Sequence, residues 1–553
     1  MNKHIKILKQ LIALMLVSVF TVFPFSVHAV KSEQVTSSDV SETNTSFESA
    51  VANLAVKSFS KKKSAVIALA KFENEKLLDI FEIMLAGKLY YIKESKIIVA
   101  ISKQDKGYQA INILTGNTEG TFSKRKLKKI SVNNSLRRML RTHIAELKIR
   151  SPQSKVRRAA VEQLLKSIDE NSVTLLYKLL ENEQDEAVKD LARVGIALWN
   201  INAEDKQLKL KSIAILSDSL LPQAKAQLQT LYDDTEDSEL KAAANKALKS
   251  IEEAANFYAV LENVVFGLSL GSVLLLIAIG LSITFGVMGV INMAHGELMM
   301  LGAYTTFVVQ QMMPDYITTS IFISIPLAFC VSGFFGVLIE RFVIRYLYGR
   351  PLETLLATFG ISLILQQFVR TIFGPTNQAV VTPAFMSGSL EINSIFAITY
   401  NRLYIFIFAL IVFGILLLIL KKTRLGLEVR AVSQNRSMAK AMGVRTEWVD
   451  AMTFGLGSGV AGVAGVALSQ LTNVGPNLGQ GYIIDSFMVV VFGGVGNLWG
   501  TLVAGLSLGV INKFLEPWTG AVLAKILVLV FIILFIQKRP RGLFPQKGRG
   551  SGS

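Results

Sequence analysis

The sequence predicts an all-α polytopic membrane protein of about nine crossings, some short or broken. An exported, mainly α-helical, HEAT-like domain with a small β insertion precedes them. Three observations predict this architecture. First, hydrophobic residues make up 51% of the 553 positions and charged ones only 18%, with a mean hydropathy of +0.44, which is oilier than a soluble globular chain. Second, the oily residues are concentrated in an N-terminal leader and in the part after 255, while the stretch between is polar. Third, the basic residues of the oily part sit in short loops between apolar runs. The net charge of +17 is therefore assigned to membrane topology, and no nucleic-acid partner is expected. The single cysteine, Cys330, lies in an apolar run, so an intrachain disulfide is impossible and a redox role is not expected.

Residues 1–29 read as a signal peptide. Lys3, His4, Lys6 and Lys9 form a basic n-region, LIALMLVSVFTVF is the apolar core, and Val27-His28-Ala29 is a small-x-small cleavage site. The alternative is an uncleaved anchor, and either way the chain that follows lies outside the cytoplasm. Residues 30–255 form the exported domain, opening with a polar linker at 32–46. The segments 154–168, 185–201 and 238–251 carry apolar residues at i, i+3, i+4 spacing behind cap-like polar residues, as in a small α-solenoid of HEAT type. Before them, 88–116 alternates β-branched and aromatic residues around polar turns, which predicts a β-meander. The basic run SKRKLKK (123–129) is either an anionic-lipid patch or a solvated charged segment.

Residues 256–545 form the membrane domain, followed by a flexible tail at 546–553. The two longest uncharged intervals, 263–296 and 451–484, are 34 residues each. As one helix either would measure roughly 50 Å, too long for one crossing of about 30 Å and too short for two. Each must turn, break or cross partway. Lys and Arg cluster at 341–350, 421–445 and 538–549, which places those three segments on the cytoplasmic side. An exported N-terminal domain and a cytoplasmic C-terminus require an odd number of crossings. Nine fit, at about 261–283, 296–312, 319–341, 352–373, 403–420, 448–470, 483–495, 500–512 and 519–537. The glycine-rich FGGVGNLWGT (492–501) joins the seventh and eighth near the inner face.

The loop 421–447 is too long for a simple turn. Its SQNRSMAKAMGV (433–444) reads as one short amphipathic helix, capped by Ser433, with Met438, Ala439 and Met442 on its apolar face and Gly443 ending it. Such a helix suits docking onto a soluble partner, against the plainer reading of a solvated basic loop. Gly455, Gly459, Gly462 and Gly465 provide small-residue contacts for close helix packing. Thr284, Asn292, Gln366, Gln367 and Asn497 are polar groups at depth, candidates for the path of a polar solute or for satisfying helix breaks. The charge map sets His295 and Glu297 at the cytoplasmic boundary, capping a turn. Lys525 is expected to snorkel or to pair with Glu516.

The ordered combination of GVINMAHGELMMLGAY (289–304), RLGLEVRAVSQNRSMAKAMGVRTEWVDAMTFGLGSGVAGVAGVAL (424–468), the GGVGNLWG hairpin and KRPRGLF (538–544) resembles the LivH-type permease subunits of ABC importers for branched-chain amino acids and amides. Within that group, an exported helical-repeat domain behind a signal peptide resembles the urea ABC transporter permease subunit (UrtB type). The resemblance implies a translocation path driven from elsewhere. ATP would be bound by two cytoplasmic ATPase subunits, solute would be delivered by a periplasmic binding protein, and a second related permease would complete the membrane part within the lipid. It also implies that Arg424, Gly426, Arg430, Asn435, Ala439 and Gly443 belong to an ATPase-coupling segment. The chain has no GxxxxGK[ST] phosphate loop, consistent with a subunit that is not itself an enzyme. Urea, with one carbonyl and two amide groups, suits amide and hydroxyl side chains better than fixed charge. A branched-chain amino acid is the alternative solute. A passive channel does not need the long loop, and an anchored scaffold does not need nine crossings. A metal or acid–base pair at His295 and Glu297 lacks HExxH spacing and a third ligand.

Overall fold

The computed structural model describes residues 41–544 apart from 57, 73, 105–106, 124 and 167. The expected signal peptide, most of the linker and the tail 546–553 lie outside the described residues. Contacts divide the chain between Gly195 and Ile196 into two compact units.

In the first unit, helices α1 (Ser41–Ala52), α2 (Phe59–Leu69) and α3 (Lys76–Leu85) lead into five strands, β1 (Leu89–Ile92), β2 (Ile98–Gln104), β3 (Gly107–Asn112), β4 (Thr118–Phe122) and β5 (Leu127–Lys129). They form one antiparallel sheet in the order β4-β3-β2-β1-β5. The sheet therefore extends past the expected 88–116, because β5 returns to pair with β1. Helices α4 (Asn134–Ile149), α5 (Ser154–Leu164) and α6 (Glu170–Asn182) follow. Asn133 and Asp169 cap α4 and α6, each side chain accepting a backbone N–H three residues on at 2.9 Å. Leu77, Ile80, Phe81 and Met84 of α3 form the core with Leu136, Leu140 and Ile144 of α4. Helix α7 (Glu186–Asn200) runs through the division.

The second unit continues with α8 (Lys206–Ser217), α9 (Pro222–Asp234) and α10 (Ser238–Met288). The domain boundary expected near 255 falls inside α10, a continuous helix of 51 residues. Its polar first part packs on α8 and α9, and its apolar remainder enters the membrane bundle. Then come α11 (His295–Met312), α12 (Ile317–Phe342), α13 (Pro351–Phe373), the short strands β6 (Ser389–Glu391) and β7 (Ala397–Thr399), and α14 (Tyr400–Lys422). The basic loop holds α15 (Arg424–Gln434) and α16 (Arg436–Ala441). Finally α17 (Thr446–Ser469), α18 (Gln480–Gly493) and α19 (Leu498–Lys538) complete the bundle.

Among the described residues, six helices are long and apolar enough to cross a membrane: α10, α12, α13, α14, α17 and α19. Helix α19 is interrupted at Gly520, where φ is +78°. Apart from the loop helices α15 and α16, its two halves with α11 and α18 make nine helical segments. Helices α11 and α18 are not among the six spans, so nine full crossings, as the sequence predicts, are not what the fold shows. Helix α17 is buried along nearly its whole length, whereas α12, α13, α14 and the second half of α19 expose apolar faces such as Phe334, Ile364, Leu418 and Leu534. A buried hub ringed by helices with oily outer faces is the arrangement hydrocarbon requires.

One ion pair in the first unit carries a pH dependence. Arg157 Nε and Nη2 each donate to a different Glu183 oxygen at 2.7 Å, joining α5 to the end of α6. Glu183 also accepts the Gln184 and Asp185 amides and is buried. The Arg157 hydrogen bonds hold its carboxyl down to about 2. A carboxyl depressed when folded contributes stability above its unfolded value near 4.5, and that contribution is lost as pH falls toward 2. Glu183→Gln is therefore expected to lower hydrogen-exchange protection of α5 and α6 in the full-length protein at pH 7 by about 2 kcal/mol, the worth of a hydrogen bond to a charged group. The difference from wild type should shrink as pH falls from about 5 to 2, and a pH-independent difference would count against the pair.

Candidate functional site

Helix α10 ends at Met288, and Gly289, at φ +65°, closes it in the left-handed region. The next helix does not start at that end. The His295 ring, at the start of α11, donates from Nε2 to the Ile277 carbonyl at 3.0 Å, a carbonyl being an acceptor only. Ile277 lies eleven residues before Met288, about 16 Å back along the helix at 1.5 Å per residue. The intervening chain thus climbs back beside α10. Asn292 shapes this return, its Oδ1 accepting the Ala294 amide at 3.0 Å. Thr358 of α13 accepts the Met293 amide at 3.1 Å.

A second return matches the first. Helix α17 ends at Ser469 and α18 begins at Gln480. The residue before α18, Gly479, lies against Gly296: a Cβ on Gly296 would sit 2.5 Å from the Gly479 carbonyl oxygen. Gly457 marks the same level on α17, since a Cβ there would meet the Gly280 oxygen at 2.6 Å, and one on Gly280 would meet His295 Cε1 at 2.9 Å. Gly457 is twelve residues short of Ser469, so 470–479 comes back by about 18 Å. The starts of α11 and α18 therefore meet partway through the bundle and the two helices diverge. Leu298 of α11 accepts from Ser332 of α12 at 2.8 Å as α11 runs toward Met312. Helix α18 runs the other way, to Gly493, which packs on Gly500 near the Gly286–Gly496 contact at the end of α10. Two discontinuous helices meeting at mid-depth are the arrangement that transporters use around a solute.

The partner of the first return was missed in the sequence reading, although a signal for it exists. Asn292-Met-Ala-His295-Gly296 is matched by Asn477-Leu-Gly-Gln480-Gly481, with a helix starting three residues after each asparagine. The first motif closes the uncharged interval 263–296, and the second lies three residues short of the end of 451–484. Asn477 is engaged, accepting from Arg370 at 3.0 Å.

His295 and Glu297 do not lie at a solvated boundary, as expected from the charge map. They are 0% and 1% exposed, because the return carries them into the bundle. Glu297 Oε1 accepts from Gln366 Nε2 at 2.7 Å and from Ser362 Oγ at 3.2 Å, both on α13. The adjacent Gln367 is exposed beside Ile364 and Phe368 and has no part in this cluster. Thr284 is buried and bonds back to the Gly280 and Leu281 carbonyls of its own helix. Asn497 caps α19, accepting from Trp499 and Gly500 amides at 3.1 and 3.2 Å. Gly455 and Gly459 face Val337 and Phe329 of α12. Gly462 meets Ser332 and Ala328, and Gly465 packs on Met299 and Ala303 of α11. Lys525 pairs with Asp485 of α18 at 2.7 Å, and Glu516 instead takes Lys513. Helix α18 offers a carboxylate closer to Lys525 than the one in sequence reach.

The basic loop also differs from its expected form. The segment 433–444 is not one helix. Asn435 leaves helical geometry and caps α16 by accepting the Met438 amide at 3.0 Å, while Ser433 donates back to the Arg430 carbonyl. Thr423 caps α15, Gly426 packs on the Leu420 backbone, and Arg430 donates to the Leu420 carbonyl. Arg424 is exposed and paired with Glu428 at 3.1 Å. Gly443, at φ +87°, ends the loop helices. Ala439 is buried, and Arg436 ties α16 to the bundle through Asp450 at 2.5 Å and the face of Tyr348 at 4.0 Å. Leu427, Met438, Met442 and Trp448 remain exposed.

Residues 263–536 match the family model described as branched-chain amino acid transport system / permease component. The chain is 31% identical over 295 residues to the high-affinity branched-chain amino acid transport system permease protein BraD of Pseudomonas aeruginosa, covering 52% of this chain and 96% of that one. It is 30% identical over 287 residues to the corresponding LivH of Salmonella typhimurium (50% and 92% covered). To a probable LivH of Methanocaldococcus jannaschii it is 26% identical over 291 residues (49% and 88% covered). No solved structure matches.

The meeting of the two returns is open to a direct test. Gly296→Ala and Gly479→Ala each place a methyl against backbone, whereas Gly481 has open space beside it. The first two are expected to destabilise the purified full-length protein by about 1–3 kcal/mol, read as a drop in thermal midpoint in detergent. Gly481→Ala should leave the midpoint almost unchanged, and equal behaviour of all three would show that the helix starts do not meet.

Proposed function

The chain belongs to the branched-chain amino acid transport system / permease component family, and from that premise we propose that it is the transmembrane permease subunit of an ABC importer. The observation that carries this reading is the basic loop. Arg436 fastens α16 to α17 through Asp450, while Leu427, Met438 and Met442 are turned outward with no partner among the described residues. An apolar face on a rigidly anchored loop suits two cytoplasmic ATPase subunits that bind ATP and push on the bundle. In this reading Arg424, Gly426, Arg430, Asn435, Ala439 and Gly443 shape the coupling segment.

The solute is a small polar molecule, urea or a short-chain amide. At the helix starts Asn292, Ser362 and Gln366 supply amides and a hydroxyl, and Glu297 a carboxylate that Ser362 and Gln366 bond to. This set, rich in acceptors and donors, matches a carbonyl flanked by amino groups. A branched-chain amino acid is the second reading, favoured by the names of the relatives. A second related permease completes the path and a periplasmic binding protein supplies the solute. The chain sits in a bacterial inner membrane with its loop and C-terminus in the cytoplasm. Its HEAT-like N-terminal domain lies on the exported side.

Uptake of labelled urea against labelled leucine, with the cognate binding protein present, separates the two solutes. Met442→Glu is expected to abolish uptake and ATPase co-purification while membrane insertion persists, since a charge replaces the docking face. Gly443→Val, which forces a β-branched residue to φ +87°, should likewise abolish uptake. Normal uptake in both variants would sink the coupling assignment. A cysteine at 435, in a background lacking Cys330, should be labelled from the cytoplasmic side alone.

A further inference from the structure

We infer that Glu297 is the hydrogen-bond acceptor for the transported solute at the midpoint of the path, so that the site takes a small solute presenting N–H donors and not an anion. The inference rests on the transport reading above. Glu297 stands in the first turn of α11, where α11 meets the start of α18. Its two oxygens are treated unequally. Oε1 takes hydrogen bonds from both Gln366 and Ser362, whereas Oε2 is buried and has no partner among the described residues. Glu297 takes part in no ion pair among the described residues.

A purely structural role leaves the acid unexplained. Oε1 alone receives the two bonds from α13, and a glutamine carbonyl would accept them without placing a charge in hydrocarbon. The helix starts favour negative charge at this point, so the carboxylate is kept, yet they leave Oε2 without a hydrogen. A bare carboxylate oxygen inside a protein is satisfied by a donor that arrives. An anionic solute would face this oxygen as a like charge, whereas N–H groups complete it. Asn292 Nδ2 is also buried and unpartnered among the described residues, a second group of the return left without a hydrogen-bond partner. Urea, a primary amide and the ammonium end of an amino acid share the N–H chemistry.

The test uses the full chain with its ATPases, second permease and binding protein in proteoliposomes, with labelled urea and labelled leucine as separate arms. Glu297→Gln is expected to cut uptake of the transported solute at least about tenfold, one lost hydrogen bond to a charged group. Glu297→Asp, which keeps the carboxylate, should give an intermediate rate of uptake. Unchanged uptake in Glu297→Gln overturns the inference. Should that variant fail to assemble, the wild-type complex decides. A hydrophobic carbodiimide is expected to modify Glu297 during ATP turnover, and saturating solute should slow that modification several-fold. No modification, or modification indifferent to both solutes, overturns the inference. A wild-type complex that moves neither solute counts instead against the function proposed above, so the two failures are distinguishable.

Discussion

Backbone that leaves a helix inside hydrocarbon must find its hydrogen-bond partners within the protein. Residues 289–294 and 470–479 meet that demand, and the bundle is organised around doing so. The first return is held by Asn292, which accepts the Ala294 amide, and by Thr358, which accepts the Met293 amide. The second is held at its far end by paired backbone bonds between Gln378 and Val474, at 2.7 and 2.9 Å. Each return is non-helical backbone whose amides are taken up by side chains and backbone of the bundle, and each delivers a helix start to the same depth.

That enclosure explains the glycines. Helix starts can touch only where no side chain stands between them, and Gly296 against Gly479 is such a contact. The same economy brings α10 to α17 at Gly280 and Gly457, and α10 to α19 at Gly271 and Gly505. Without a hydrophobic driving force between helices in lipid, close backbone approach supplies much of their attraction. Helix α17 gains most from it, because small residues on several of its faces let α10, α11 and α12 pack around it. The large side chains are left on α12, α13, α14 and the second half of α19, where lipid is the natural solvent.

Ionic groups are used at the edges of this arrangement. Arg436 and Asp450 fasten the basic loop to the hub, with Tyr348 stacked on the guanidinium. Lys525 and Asp485 join the short helix α18 to the last segment beyond the Gly520 interruption. In both cases a charge that would be costly alone is held by a partner from another element, so loop and half-helix are carried by the packed bundle.

Hydropathy and charge spacing alone located the helical segments, the two intervals that had to break, the glycine-rich helix 446–469 and the basic loop, because those properties belong to single residues and short windows. The depth of the returns was not legible. It depends on how far the chain runs back beside helices from distant sequence, so His295 and Glu297 were assigned to a boundary and proved buried. Gln366 and Gln367 are indistinguishable in sequence, yet about 100° of helix rotation sends one to Glu297 and the other outward. Lys525 had Glu516 within reach along the chain, but packing of α18 set Asp485 beside it. The local rules therefore decided which segments are helical and oily, and tertiary packing decided which polar groups meet at mid-depth, since only the folded bundle brings 297, 366 and 479 together.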